Sequence, residues 1–172
     1  AVLAIDYAEQ YYYAQDDIVG VSVPATEHSV MCMGSEEREI DTFRRLICEL
    51  YPAGVVSIVS DTWDFWRVIT EFSQSLKTEI LARTPNALGL AKVVFRPDSG
   101  DPVKILCGDP DAEIDSPAYK GAVQCLWDIF GGTYTEKGYK VLNERVGLIY
   151  GDSITLDRAA RILQGLEAKG FA

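Results

Sequence analysis

Four short apolar runs punctuate the chain: Val19–Val23, Val55–Val59, Lys92–Phe95 and Val146–Tyr150. They are nearly continuous and rich in Val and Ile, the pattern of strands buried on both faces. The segments between them carry apolar residues at helical spacing. Ala1 to Ala14 predicts a helix ending at Gln15-Asp16-Asp17. Glu36 to Tyr51 places Ile40, Phe43, Ile47 and Leu50 on one face, with Ser35 as N-cap. Thr62 to Arg83 does the same with Phe65, Ile69, Phe72, Leu76 and Ile80. Asp61 suits the cap of that helix, with Asp64 three residues on in the manner of a capping box. Ala118 to Phe130 is closed by Gly131-Gly132, and Leu156 to Lys169 runs from a Thr155 cap to Gly170.

A helix followed by repeated strand–helix units calls for parallel strands joined by helical crossovers, an α/β fold. Two architectures compete, an open doubly wound sheet and a slice of a β/α barrel, which when closed needs about eight strands. Gly108 to Pro117 reads as a surface loop. The 172 residues suit one domain, and a composition 48% hydrophobic and 24% charged is globular. The net charge of -10 argues against a nucleic-acid partner held by a broad basic face. It leaves room for an anionic substrate held by a few cations and helix N-termini. No apolar run approaches the roughly 20 residues of a membrane helix, so no membrane partner is expected. The first ten residues lack a basic start and contain Asp6 and Glu9, unlike a signal peptide. The first residue is not Met, which fits either processing or a start inside a longer protein. Cys32, Cys48, Cys107 and Cys125 form no C-x-x-C pair, and one histidine gives no zinc spacing, so reduced cytoplasmic thiols are expected.

In parallel α/β folds, ligands bind at the C-terminal ends of the strands. Each predicted strand here is followed by polar residues. After the first comes Pro24-Ala25-Thr26-Glu27-His28-Ser29, with the chain's single histidine, able to exchange a proton or accept a phosphoryl group near neutral pH. A loop histidine without a role is equally consistent with that position. After the second comes Ser60-Asp61-Thr62-Trp63-Asp64, where Asp61 either orients a histidine or simply caps its helix. After the third comes Arg96-Pro97-Asp98-Ser99-Gly100, with a planar cation, a carboxylate for sugar hydroxyls and a turn suited to an anion. The plainer reading is a polar turn with a surface arginine. After the fourth comes Gly151-Asp152-Ser153, either a close backbone approach with a carboxylate or a plain turn.

In this order the motifs resemble the nicotinamide phosphoribosyltransferases, of the type II phosphoribosyltransferase family. The matching stretches are Ser22 to Ser29, Val59 to Asp64, Arg96 to Gly100, Lys137-Gly138-Tyr139-Lys140 and Gly151-Asp152. Nicotinate phosphoribosyltransferases share part of the pattern but lack the Glu before the His. The resemblance implies a partial (β/α) barrel. It also implies transfer of phosphoribosyl from phosphoribosyl pyrophosphate to nicotinamide, giving nicotinamide mononucleotide and pyrophosphate in NAD salvage. By resemblance His28 is phosphorylated by ATP, and Asp61 with Glu27 orients and charge-balances it. Arg96 lies by the nicotinamide ring, Asp98 and Asp152 hold ribose hydroxyls, and Gly151 meets the ribose phosphate. Ser22, Ser57, Val94 and Ile149 match strand positions lining a tunnel behind the pocket. Mg²⁺ comes bound through pyrophosphate, with no protein ligand assigned, and the full-length protein is a cytoplasmic homodimer.

The resemblance further implies that the chain is one segment of the barrel domain, with parts on either side lying outside it. By itself such a segment is expected to turn over little or not at all. The alternatives are a nicotinate-specific enzyme, a non-catalytic nucleotide- or phosphate-binding module, and a structural remnant with exposed strand edges.

Overall fold

The computed structural model describes residues 2–14 and 19–172. Helix α1 is Val2–Tyr11, and its expected end at Gln15-Asp16-Asp17 lies outside the described residues. Then come the short α2 (His28–Met31), α3 (Glu39–Arg45) and a π-helical turn, Leu46–Leu50. Strand β1 (Val55–Val59) leads to α4 (Phe65–Arg67), a second π turn Val68–Phe72, α5 (Ser73–Ser75) and α6 (Lys77–Leu81). Strand β2 (Lys92–Arg96) leads to α7 (Pro102–Cys107), α8 (Pro117–Lys120) and α9 (Ala122–Phe130). Strands β3 (Gly132–Tyr134) and β4 (Lys140–Leu142) form an antiparallel hairpin, and β5 (Val146–Leu148) precedes α10 (Leu156–Ala168).

The sheet is parallel, in the order β1-β2-β5. Side chains alternate across β2, with Val93 and Phe95 buried and Lys92, Val94 and Arg96 only partly so. Val93 and Phe95 join Phe43 and Ile47 from before β1, Ile69 and Phe72 from the first crossover, and Leu126 and Phe130 from the second, in one core cluster. The Phe43 ring stacks on Phe95 at 6.4 Å and meets the edge of Phe72 at 5.9 Å. Helices from successive crossovers thus cover the same face of the sheet. At the N-terminal end of β1 the buried Arg83 donates to Ile47 O and Gly54 O, both at 2.8 Å, and to Ala53 O at 3.4 Å. It supplies a donor to carbonyls at the π turn and the strand entry, of which Gly54 O also accepts from Lys92 N–H at 3.1 Å.

Several expectations need correction. Val19–Val23 forms no strand: Val19 and Val21 are exposed, and only Ala25 bridges to Ser57. An apolar run gains nothing from strand geometry without a surface to bury against. Ser35 does not cap α3; its φ of 61° is left-handed, and its hydroxyl donates to Glu37 at 2.8 Å. Leu50 is half exposed, because the five-residue π turn advances the helical register. The helix expected over 118–130 is split at Gly121, whose φ is +84° and whose added Cβ would lie 2.4 Å from Gly108 N. The β3–β4 hairpin was not expected. Cys107 and Cys125 are buried, whereas Cys32 and Cys48 are exposed. Among the described residues no helix is long and apolar enough to cross a membrane.

Candidate active site

The site is assembled on the C-terminal end of β1. Ser57 N–H donates to Pro24 O (2.9 Å) and Thr26 N–H to Ser57 O (3.0 Å). The buried Thr26 hydroxyl accepts from Val59 N–H at 2.9 Å. These three bonds fasten the segment before α2 against β1, and α2 opens on His28. His28 Nε2 then lies 3.2 Å from Asp61 Oδ1, with the histidine side chain 48% exposed and the aspartate 7%. Ser60 fixes the neighbouring strand end: its hydroxyl donates to Ile58 O (2.7 Å) and accepts from Arg96 N–H (3.3 Å).

Asp61 is the hub. Its Oδ2 accepts from Asp98 N–H at 2.9 Å and from Ser99 Oγ at 2.6 Å. Burial pushes the Asp61 carboxyl up, but the Ser99 hydroxyl, the Asp98 N–H and His28 outweigh that and hold it below its usual range. Asp61 is therefore an anion at neutral pH. It does not cap the following helix; Asp64 does, accepting from Trp66 and Arg67 N–H at 2.9 and 3.2 Å. Glu27 does not reach His28 through a hydrogen bond either. Its carboxylate faces Arg96 Nη2 at 3.3 Å, while Arg96 Nε is buried without a protein partner.

At the end of β5, the Tyr150 hydroxyl donates toward Ser99 O (2.6 Å) and Gly100 O (3.0 Å). Gly151 and Asp152 follow, both exposed. Asp152 accepts from Ser153 Oγ at 3.1 Å, and Arg158 donates to Ser153 O at 2.7 Å. Burial and the charges of Asp152, Asp61, Asp101 and Asp98 push the Tyr150 phenol above its usual value, so these carboxylates share one electrostatic neighbourhood. Of the four expected tunnel positions, Ser57 and Val94 sit side by side in register on β1 and β2. Ser22 and Ile149 lie outside strands and are exposed, though Ile149 N–H reaches Phe95 O at 3.2 Å.

The structure brings His28, Asp61, Glu27, Arg96 and Asp98 together. Sequence reasoning passed over Thr26 and Tyr150, and took Ser99 only as part of a turn. A hydroxyl-bearing aromatic directly before Gly151-Asp152 was the available signal for Tyr150. No comparable signal marks Glu39, a carboxylic acid 1% exposed near Arg67, Asp64 and Glu36. Burial pushes it up to about 7, against the pull of Arg67. Among the described residues no group of three or more His, Cys, Asp or Glu is arranged to hold a metal ion.

A parallel α/β sheet whose strand-end loops converge on a histidine–aspartate pair defines a class of site rather than one reaction. The family model described as the nicotinate phosphoribosyltransferase (NAPRTase) family matches residues 8–172, and the chain belongs to that family. A relative from Acinetobacter baylyi named nicotinamide phosphoribosyltransferase is 83% identical over 172 residues, all of this chain and 34% of the relative. Relatives of the same name are 37% identical in Mycoplasma pneumoniae, over 94% of this chain and 35% of theirs, and 35% identical in Xanthomonas campestris pv. campestris, over 98% and 32%. The chain spans about a third of the length of these curated relatives.

Proposed function

We propose that this chain supplies one segment of a type II phosphoribosyltransferase barrel, and that the full-length protein transfers phosphoribosyl to nicotinamide. The observation that carries the reading is the convergence on Asp61 of His28 and the Asp98–Ser99 turn. The name shared by the Acinetobacter baylyi relative supports nicotinamide as the base. The barrel is supported by crossover helices gathered on one face of the sheet, while Val94 and Arg96 on the other face are only partly buried.

In the transfer, the bond from C1′ of phosphoribosyl pyrophosphate to its diphosphate oxygen breaks, and a bond from C1′ to the ring nitrogen of nicotinamide forms. Pyrophosphate leaves with the bonding electrons. The ribose passes through an oxocarbenium-like state that nearby carboxylates stabilise. Asp98 and Asp152 are assigned to the ribose hydroxyls, Gly151 to the ribose phosphate and Arg96 to the nicotinamide ring. Ser22, Ser57, Val94 and Ile149 are assigned to the tunnel. Glu27, paired with Arg96, balances the guanidinium charge beside the base, and its negative field reaches His28 next to it.

Asp61 holds His28 Nε2, so Nδ1 carries the lone pair that attacks the terminal phosphorus of ATP. The bond to the bridging oxygen breaks and ADP departs. The resulting phosphohistidine keeps its orientation because Asp61 is fixed by two further donors. Mg²⁺ bound with the diphosphate would neutralise its charge, and no protein ligand is assigned to the ion. The protein is assigned to the cytoplasm, to a homodimer, and to no nucleic-acid or membrane partner.

The test is labelling of the full-length protein with ATP carrying a labelled γ-phosphate. An acid-labile phosphoryl group that vanishes in His28→Ala is expected. Labelling that survives the substitution, or none in the unmodified protein, removes His28 from the mechanism. The description of the matching family model keeps nicotinate as a second base. Parallel turnover with nicotinamide and nicotinate decides between them.

A further inference from the structure

Asp61 has one carboxylate and two tasks. Its Oδ1 faces His28, while its Oδ2 takes both the Asp98 N–H and the Ser99 hydroxyl. A carboxylate held at one oxygen only rotates about its Cβ–Cγ bond and carries its partner with it. Two donors on the second oxygen stop that rotation, and the 2.6 Å hydroxyl contact is in the range of strong, charge-assisted bonds.

Those donors lie on a turn that needs its own anchor. Residues 97–101 form no regular element, and Gly100 takes a φ of +85°. An added Cβ at Gly100 would come within 2.8 Å of the Ile105 side chain. The turn is held from one side by Asp61 and from the other by Tyr150, whose single proton is shared between the carbonyls of Ser99 and Gly100. Tyr150 stands two residues after the last residue of β5 and directly before Gly151-Asp152. Its ring therefore links the end of β5, through the 98–100 turn, to Asp61 at the end of β1. The phenol stays protonated, and so remains a donor, throughout the neutral range because burial and the surrounding carboxylates oppose its ionisation.

We infer that Ser99 and Tyr150 are positioning residues that lock the Asp61 carboxylate and thereby hold His28 in its phosphate-accepting orientation. The inference rests on the function proposed above for His28, but the arrangement it describes is measurable without turnover. Neither side chain is assigned to substrate. Ser99 acts through a bond to Asp61; Tyr150 acts one step further away, through two backbone carbonyls.

The experiment has two readouts on Ser99→Ala, Ser99→Thr and Tyr150→Phe. The first is the pH titration of the Asp61 carboxyl carbon by NMR. Ser99→Ala removes a donor to the ionised form, so Asp61 should titrate at higher pH, and Ser99→Thr should return it to its original position. Tyr150→Phe should move it in the same direction by less, although no Tyr150 bond reaches Asp61. The second is the rate of His28 phosphorylation by ATP in the full-length protein. Displacing an orienting group costs about 10-fold to 100-fold. A loss in that range is expected for Ser99→Ala, a smaller one for Tyr150→Phe, and recovery for Ser99→Thr, all without a matching change in KM for ATP. An Asp61 titration unmoved in both Ser99→Ala and Tyr150→Phe overturns the inference, whatever the rates do. So does an unaltered phosphorylation rate in both variants. If the unmodified protein takes no label, the proposed role of His28 falls instead, and the Asp61 titration still decides whether Ser99 and Tyr150 lock the carboxylate.

Discussion

Replacing Glu39 by Gln should change the stability of the chain by an amount that depends on pH. Glu39 is 1% exposed, its Oε1 has no hydrogen-bond partner, and its carboxyl is pushed up to about 7 from the ordinary 4.5. The folded state therefore keeps a proton that the unfolded state releases near 4.5. Between those values the folded state binds more protons, so stability falls as pH rises and levels off above about 7. At about 1.36 kcal/mol per pH unit, the gap sets a ceiling of about 3 kcal/mol on the stability lost from pH 4.5 to 8. Gln is nearly the same size and does not titrate. Its buried amide carries a constant cost of about 1–3 kcal/mol if it finds no acceptor. That constant drops out when the difference between the two proteins is compared across pH. Urea unfolding at half-unit steps from pH 4.5 to 8.5 gives the curve directly. The Gln variant should gain on the parent as pH rises, by about 2–3 kcal/mol in all, with most of the change between 4.5 and 7. A stability difference that stays flat over that range would refute the reasoning, because it would mean that Glu39 ionises freely in the folded chain.

Other outcomes follow from the same geometry. Asp64→Asn keeps an oxygen for the α4 cap but removes a charge that raises Glu39, so Glu39 should titrate lower, as read by carboxyl NMR. Asp61→Asn should lower stability at neutral pH. The deficit should close as pH falls below about 4, because a carboxyl held below its usual range stabilises the fold only while it is ionised. Arg83→Met should cost about 3 kcal/mol or more in urea unfolding, since it strips donors from the carbonyls of Ile47, Ala53 and Gly54. Gly121→Ala should fail to give soluble folded protein, because its Cβ has no room against the Gly108 backbone and the φ disfavours any side chain.

The strands at Val55–Val59 and Lys92–Arg96 were legible because β-branched residues have no other economical use in a run that short. The Thr155 cap and the Gly131 stop were legible because capping chemistry is local. What failed was decided by tertiary partners. Asp61 and Asp64 are equally good caps on paper, and only the arrival of His28 and the 98–100 turn assigns one to each task. Val19–Val23 has a strand's composition but no surface to cover. Glu39 occupies the buried stripe of α3 one turn before Phe43, and a charged residue there does not announce itself in a hydrophobic pattern. The β3–β4 hairpin lacks the apolar alternation by which hairpins are found. The candidate site was legible in part, through the loops after β1 and β2, although His28 follows a run that forms no strand. Its wiring was not, because backbone donors such as Asp98 N–H carry no residue-type signal.

The thiols divide into two populations with a practical use. Burial pushes Cys107 up and Cys125 up to about 11, so neither presents a thiolate to an alkylating reagent while the chain is folded. Cys32 and Cys48 face solvent. Cys48 should be the slower of the two, since partial burial and the charge of Glu79 hold its thiol above the usual value. A brief pulse of reagent should therefore add at most two mass increments to native molecules and four to molecules that have opened. Cys107 reports on the end of α7 and Cys125 on the middle of α9. The chain thus carries its own two-channel clock for unfolding, readable by mass spectrometry without a single substitution.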